Sequence, residues 1–168
     1  LMRKEILINS FNANAHHIGS ELSCVEILVT LYFYEMNINK KNLNDPKRDW
    51  FILSKGHAAL ILYLVLEKKG FVKKGYVKKN FLRNGKNLVG HPDFKSMPGI
   101  EISSGALGNG LSIGAGVALF KKLENLDGRV FVLIGDGECN QGQIWEAIMF
   151  AAHHKLKKLI IIIDYNNY

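Results

Sequence analysis

The chain has 168 residues, of which 48% are hydrophobic and 22% are charged, a balance that supports a packed core and excludes intrinsic disorder. The formal net charge is +7, but the lysines come in scattered doublets without an arginine stripe or interleaved aromatic residues, so we expect no nucleic-acid partner. The longest apolar run, Ala58–Leu66, has nine residues and is too short to span a membrane. Cys24 and Cys139 lie far apart, so we expect reduced thiols and a cytoplasmic location.

The first half of the chain predicts helices around one short strand. Ser23 and Glu26 have the spacing of a capping box, which predicts an apolar helix that begins at Ser23 and continues to about Met36. The Asn-, Lys- and Asp-rich residues 37–49 predict a loop. The other predicted elements of this half are a helix over 3–16, a strand over Trp50–Ser54, a helix from Gly56 and His57 to about Lys69, and a Lys-rich helix over 73–82.

The second half predicts a strand–helix–strand unit. A Gly-, Pro- and Asn-containing loop over 84–103 precedes a Gly- and Ala-rich helix from Gly105 to about Leu126. The last three elements are a strand over Arg129–Ile134, a helix over Gln143–His154 and a strand over Leu159–Asp164. Both strands are apolar throughout, as expected for parallel strands that are covered on both faces. We therefore predict an α/β fold, a doubly wound parallel sheet with helices on both faces.

Polar residues follow both of these strands. Gly135-Asp136-Gly137 ends one strand, and Asn166 follows the next, 30 residues after Asp136. Ligands of such sheets bind at the carboxyl ends of the strands, so a carboxylate and an amide oxygen should share one crevice. These hard oxygens suit Mg²⁺ or Ca²⁺, with phosphate oxygens and water completing the coordination. A lone Gly-Asp-Gly would instead indicate a tight turn with solvated polar residues.

The pairing of Gly-Asp-Gly with Asn-Asn resembles the thiamine-diphosphate motif, and the wider sequence resembles the amino-terminal section of transketolases. The segments that carry this resemblance follow one another along nearly the whole chain. They are His16–Ser23, Phe51–Ala59, Gly90–Asp93, Gly105–Ser112 and Gly135–Ala147.

The resemblance implies a thiamine-diphosphate-binding fold whose cofactors are thiamine diphosphate and Mg²⁺, for which Ca²⁺ can substitute. Asp136 and Asn166 would bind the metal through side-chain oxygens, with the carbonyl of Tyr168 as a third ligand. Asn166 would thereby also belong to the cofactor site. The backbone N–H of Gly137 and the imidazole of His57 would contact the diphosphate.

The resemblance also implies residues on the reacting side of the cofactor. Gly105, Ala106 and Leu107 would meet the thiazolium and aminopyrimidine, at what we predict to be a helix start with free N–H groups. His17 and His91 would be catalytic, because an imidazole can bind sugar hydroxyls and move protons. Without the resemblance, His91 would be taken as a polar surface residue.

Two features depart from the family pattern. Gln141 stands where most relatives have Glu, and Gln keeps the hydrogen bonds but cannot ionise. The family's cofactor module also continues beyond the Asn-Asn motif and works with a separate pyrimidine-binding module. We therefore expect residues 1–168 to be only the N-terminal portion of the cofactor (PP-type) module, apparently truncated at the C-terminus and inactive alone, with Leu159–Ile163 as an exposed strand edge.

The expected activity is transfer of a two-carbon ketol unit between ketose and aldose phosphates. It would need a C-terminal transketolase section or second subunit, in a homodimer or heterotetramer, and would involve no membrane. Two alternatives stay open: a non-catalytic cofactor-binding or assembly subunit, and a transketolase-like enzyme for a different sugar. We disfavour a nucleotide-binding Rossmann domain because no strand directly precedes the glycines at 105–110.

Overall fold

The computed structural model describes residues 1–166 and contains seven α-helices and three β-strands within that range. In chain order these are α1 Met2–Ala13, α2 Ile18–Ser23, α3 Val25–Thr30, β1 Trp50–Leu53, α4 Ala59–Lys68, α5 Tyr76–Asn80, α6 Asn109–Leu123, β2 Val130–Gly135, α7 Gly142–His153 and β3 Leu159–Asp164. Helix α3 continues into a wider π-helical turn, and short 3₁₀ turns at Gly56–Ala58 and Gly137–Asn140 precede α4 and α7.

The strands form one parallel sheet in the order β1-β2-β3. Trp50 lies opposite Val130, and Val130 lies opposite Leu159 on its other side. The predicted parallel α/β architecture is therefore confirmed. Because every strand runs the same way, the segments that follow β1, β2 and β3 all emerge at one edge of the sheet.

The two faces of the sheet bury two separate hydrophobic clusters. Phe51 and Phe131 point into the larger cluster, with α1, α3 and α4, whereas Ile52 and Val132 point into the smaller one, with α6 and α7. This alternation is the two-residue period of a strand, and it uses apolar residues at every position because both faces are covered.

Helix α6 packs unusually close to the sheet because its inner face carries small residues. A Cβ on Gly114 would lie 2.4 Å from Cγ2 of Val132, and Ala118, one turn later, is buried. The Gly- and Ala-rich composition of this helix is thus a packing requirement. It brings the segment before α6 down onto the carboxyl ends of the strands.

Two local predictions are wrong. Ser23 is not an N-cap: it is the last residue of α2, and its hydroxyl donates to Ser20 O and Asp164 Oδ2. The helix predicted from Gly105 begins at Asn109, because Gly105 (φ +141°) and Gly108 (φ +90°) adopt backbone conformations that do not continue a helix.

Two further findings concern location and redox state. Among residues 1–166 no helix is long and apolar enough to cross a membrane. Cys24 and Cys139 are both free thiols, so the prediction that they do not pair is confirmed.

Candidate cofactor site

One cavity, of about 380 Å³, opens where the sheet ends and the glycine-containing loops approach it. It is lined by Gly19, Ser20, Lys55, His57, Leu107, Gly135, Asp136, Gly137, Glu138 and Asn166. These residues come from the segments after all three strands, from the start of α2 and from the loop before α6. The position is the one at which open parallel sheets bind ligands.

A slightly larger cavity, about 420 Å³, lies at the opposite end of α6 and is lined mainly by lysines. Lys121 Nζ donates to three backbone carbonyls, and Lys122 Nζ donates to His154 O at the end of α7. These ammonium groups are engaged as caps of chain ends, as is common near helix C-termini. The chemistry of this second cavity is therefore structural, and the smaller cavity is the candidate site.

Asp136 and Asn166 lie in the same cavity, where the strand topology predicts them. Gly135 and Asp164 are paired in register, so Asp136 directly follows β2 and Asn166 lies two residues beyond β3. Asp136 Oδ1 accepts a hydrogen bond of 3.0 Å from the N–H of Gly137. Tyr168, the third predicted ligand, lies outside the described residues, and the role of all three as metal ligands stays a prediction.

The donor set of the cavity fits a cation bound together with a phosphorylated ligand. Within residues 1–166 no group of three or more His, Cys, Asp or Glu side chains could hold a metal alone. One carboxylate and one amide oxygen leave most of an Mg²⁺ coordination shell to phosphate and water. The hydroxyl of Ser20 is buried in the cavity and has no hydrogen-bond partner among the described residues, which is the setting that a phosphate oxygen would satisfy. Sequence reasoning missed Ser20, because only the structure shows that its hydroxyl lacks a partner.

Three histidines from distant parts of the sequence meet at the edge of the cavity. The ring centroid of His17 lies 5.4 Å from that of His57 and 5.9 Å from that of His91. His57 lines the cavity, whereas His17 and His91 are exposed beside it. Burial and then the nearby Lys55 ammonium lower the pKa of His57 to about 4, and burial and the neighbouring histidines lower the pKa of His17. His57 is therefore a neutral imidazole at pH 7.

The loop before α6 reaches the site through backbone contact. A Cβ on Gly56 would lie 2.7 Å from the backbone N of Gly105, and a Cβ on Gly105 would lie 2.9 Å from Cδ2 of His91. Both positions therefore exclude a side chain, and the contact fixes His91 beside the other histidines. Of the remaining predicted residues, Leu107 lines the cavity, whereas Ala106 lines a neighbouring one with Asn109.

The buried carboxylate of Glu138 joins three of the segments that form the site. Its Oε1 accepts from the Ser54 hydroxyl at 2.5 Å and from the Gly108 N–H at 2.7 Å, and its Oε2 accepts from the Gly135 N–H at 3.1 Å. Glu138 is only 3% exposed. It therefore ties the end of β1, the loop before α6 and the end of β2 together.

A buried ion pair between Lys55 and Asp164 underlies the cavity. The two side chains are 1% and 6% exposed, and Asp164 also accepts from Ser23 Oγ at 2.5 Å. Burial raises the pKa of Asp164, but the hydrogen bonds from Lys55 and Ser23 outweigh that effect and hold the pKa below its ordinary value. Asp164 is therefore an ionised acceptor at neutral pH.

The fold and the site together define an α/β domain that binds a cofactor at the carboxyl ends of parallel strands. A family model described as "Transketolase, thiamine diphosphate binding domain" matches residues 8–168. The chain belongs to this family. The sequence resemblance to the amino-terminal section of transketolases is confirmed.

Individual relatives agree with this assignment. One of the two subunits named for apulose-4-phosphate transketolase, from Phocaeicola vulgatus, is 43% identical over 164 residues, which is 98% of this chain and 58% of the relative. The 6-deoxy-6-sulfo-D-fructose transketolase subunit SqwG of Clostridium sp. is 39% identical over 166 residues, which is 99% of this chain and 60% of the relative. The crystal structure of transketolase from Campylobacter jejuni matches 99% of this chain with a TM-score of 0.91 and 34% identity, and the match covers 27% of that chain.

Proposed function

We propose that this chain is the N-terminal part of a transketolase that depends on thiamine diphosphate and Mg²⁺ and transfers a two-carbon ketol unit between ketose and aldose phosphates. Residues 1–168 would then be the N-terminal portion of its cofactor module, in a cytoplasmic enzyme. The observation that carries the proposal is the convergence of Asp136, Asn166, Ser20 and His57 on one cavity at the strand ends.

Bound thiamine diphosphate would supply the nucleophilic carbon for ketol transfer, and Mg²⁺ would neutralise its diphosphate. Side-chain oxygens of Asp136 and Asn166, with the carbonyl of Tyr168, would hold the cation. The Ser20 hydroxyl and the Gly137 N–H are placed to donate hydrogen bonds to phosphate oxygens.

The neutral imidazole of His57 can donate one further hydrogen bond to the diphosphate without adding charge to the site. His17 and His91 stand on the open side of the cavity, where they would bind sugar hydroxyls and accept or return protons. Gly105, with Ala106 and Leu107 after it, would form the wall that meets the thiazolium and aminopyrimidine.

A second polypeptide completes this proposal. Two relatives of this chain are named as subunits of transketolases, which supports a partner that carries the missing section, in a heterotetramer or a homodimer. The chain spans 58% and 60% of those two relatives. Their names specify apulose-4-phosphate and 6-deoxy-6-sulfo-D-fructose, so sugar phosphates are the proposed substrate class and the particular sugar is a separate matter.

Calorimetric titration of thiamine diphosphate, with and without Mg²⁺, tests the proposal on the chain alone and mixed with a pyrimidine-module partner. We expect Mg²⁺-dependent binding with the partner, and its loss in Asp136→Ala with an unchanged circular-dichroism spectrum. Undiminished affinity in Asp136→Ala would contradict the ligand assignment. Binding by the wild-type pair without sugar-phosphate turnover would favour the alternative, a non-catalytic cofactor-binding subunit.

A second variant separates catalysis from cofactor binding. In the assembled enzyme, His91→Ala should lower turnover more than it lowers cofactor affinity, because His91 is exposed beside the cavity and does not line it. An equal loss of both would instead assign His91 to cofactor contact or to structure.

A further inference from the structure

Three polar side chains converge on a single carboxylate oxygen beneath the candidate site. Oδ2 of Asp164 accepts from the Lys55 ammonium, from Ser23 Oγ at 2.5 Å and from Nδ2 of Asn166 at 3.1 Å. Lys55 Nζ also lies 3.3 Å from Ser20 O and 3.4 Å from Ser23 Oγ. The proposed function uses only Asn166 from this cluster, so the other members need a separate account.

The contact with Asp164 determines which way the amide of Asn166 points. An ionised carboxylate can only accept hydrogen bonds, so the half of the amide that faces it must be the NH₂ group. The reversed amide would bring its oxygen against Oδ2, and two acceptors would oppose each other. The favoured orientation turns Oδ1 of Asn166 away from Asp164, and Oδ1 is the atom that a hard cation binds.

We infer that the Lys55–Asp164 ion pair is a positioning device that sets the amide oxygen of Asn166 for metal binding. This inference rests on the proposed function and extends it to two residues that do not themselves contact the metal. Asp164 orients the amide, and Lys55 balances the charge of the Asp164 carboxylate. That balance leaves Asp136 as the carboxylate that meets the cation.

The strand geometry strengthens this assignment. The backbone N–H of Asp136 donates to Asp164 O at 3.2 Å, so the main chain at one proposed ligand is tied to the residue that orients the other. Partners behind a metal ligand commonly change metal affinity by about 10–100-fold when they are removed. A purely structural ion pair in the same place would instead change stability without a matching change in metal affinity.

The test is a calorimetric Mg²⁺ titration of the chain assembled with its partner module at saturating thiamine diphosphate. Lys55→Met combined with Asp164→Leu removes both buried charges at once, so that neither is left unpaired. We expect this double variant to bind Mg²⁺ at least about 10-fold more weakly. Asp164→Asn, which keeps Lys55, should retain most of the affinity, because the side-chain oxygen held by Lys55 and Ser23 still accepts from Asn166.

The matched control is the Lys68–Glu5 ion pair, at 2.7 Å, whose residues do not line the cavity. Lys68→Met with Glu5→Leu should leave Mg²⁺ affinity unchanged. Wild-type affinity in the Lys55→Met/Asp164→Leu variant would overturn the inference, and so would an equal loss in Asp164→Asn. Failure of the wild type to bind thiamine diphosphate with Mg²⁺ would overturn the proposed function, and the inference with it.

A measurement on the wild type covers the case in which the double variant does not fold. The side-chain NH₂ of Asn166 should give NMR signals that exchange slowly with water before Mg²⁺ is added, because Asp164 already holds it. Rapid exchange that slows only on metal binding would show that the metal, and not the ion pair, orients the amide, and would overturn the inference.

Discussion

Replacing Glu138 by Gln tests whether a buried carboxylate holds the site together. The two side chains have nearly the same shape, so the change alters hydrogen bonding and charge without leaving a cavity. The best orientation of the introduced glutamine keeps an oxygen at the position that accepts from Ser54 and Gly108. Its NH₂ group then faces the N–H of Gly135, and two donors oppose each other where a 3.1 Å hydrogen bond stood.

The cost follows from that count of donors. One hydrogen bond to a charged acceptor is lost, at about 1.5–3 kcal/mol, and the other two change from charged to neutral. Relief from burying a charge offsets part of this loss. We expect the free energy of unfolding to fall by about 2–3 kcal/mol.

Urea unfolding of the wild type and Glu138→Gln measures this difference directly. Glu124→Gln is the control, because Glu124 is exposed after α6 and its replacement should change the free energy of unfolding by less than about 0.5 kcal/mol. If Glu138→Gln were as stable as Glu124→Gln, the three hydrogen bonds would not stabilise the fold as the geometry requires.

Three further changes have expected signs. Gly56→Ala should destabilise the chain by about 1–3 kcal/mol in urea unfolding, because its Cβ would meet the Gly105 backbone at 2.7 Å, whereas Gly116→Ala, in open space on α6, should stabilise it by about 0.5–1 kcal/mol; the same sign for both would contradict the contact. Burial raises the pKa of Glu21 from 4.5 to about 7, so this group's stabilisation is present below pH 4.5 and is lost as pH rises through 7; Glu21→Gln should therefore be more stable than the wild type at pH 8 and little different at pH 4, and a uniform effect in denaturation curves would oppose this. Burial lowers the pKa of His57 from 6.5 to about 4, so its stabilisation is present above pH 6.5 and is lost as pH falls through 4; ¹⁵N NMR at pH 5.5 should show a neutral ring, and a protonated one would refute the shift.

The sheet and the shared crevice were predictable because they depend on short-range patterns and a topological rule. The continuous apolar runs of β2 and β3 indicate strands covered on both faces, and parallel strands must bring Asp136 and Asn166 to the same edge. No side-chain detail is needed for that conclusion.

The polar partners were not predictable, because they are distant in sequence. Ser23 fits a capping box, but its hydroxyl bonds Asp164, 141 residues away. Likewise, Gly105 lies before a run of small residues that is compatible with a helix, yet close contact with Gly56 and His91 selects a different backbone conformation. Tertiary contacts override local propensity at both places.

The ion pair between Lys55 and Asp164 also has a consequence for biosynthesis. The two residues are 109 positions apart, and at ordinary rates of translation they are made about 5–20 s apart. Residues of α1, α3 and α4 can begin to pack as soon as they emerge, but Lys55 must stay hydrated until β3 exists, since a lone buried ammonium is costly. The order of synthesis thus makes the floor of the cavity one of the last parts of these residues to close.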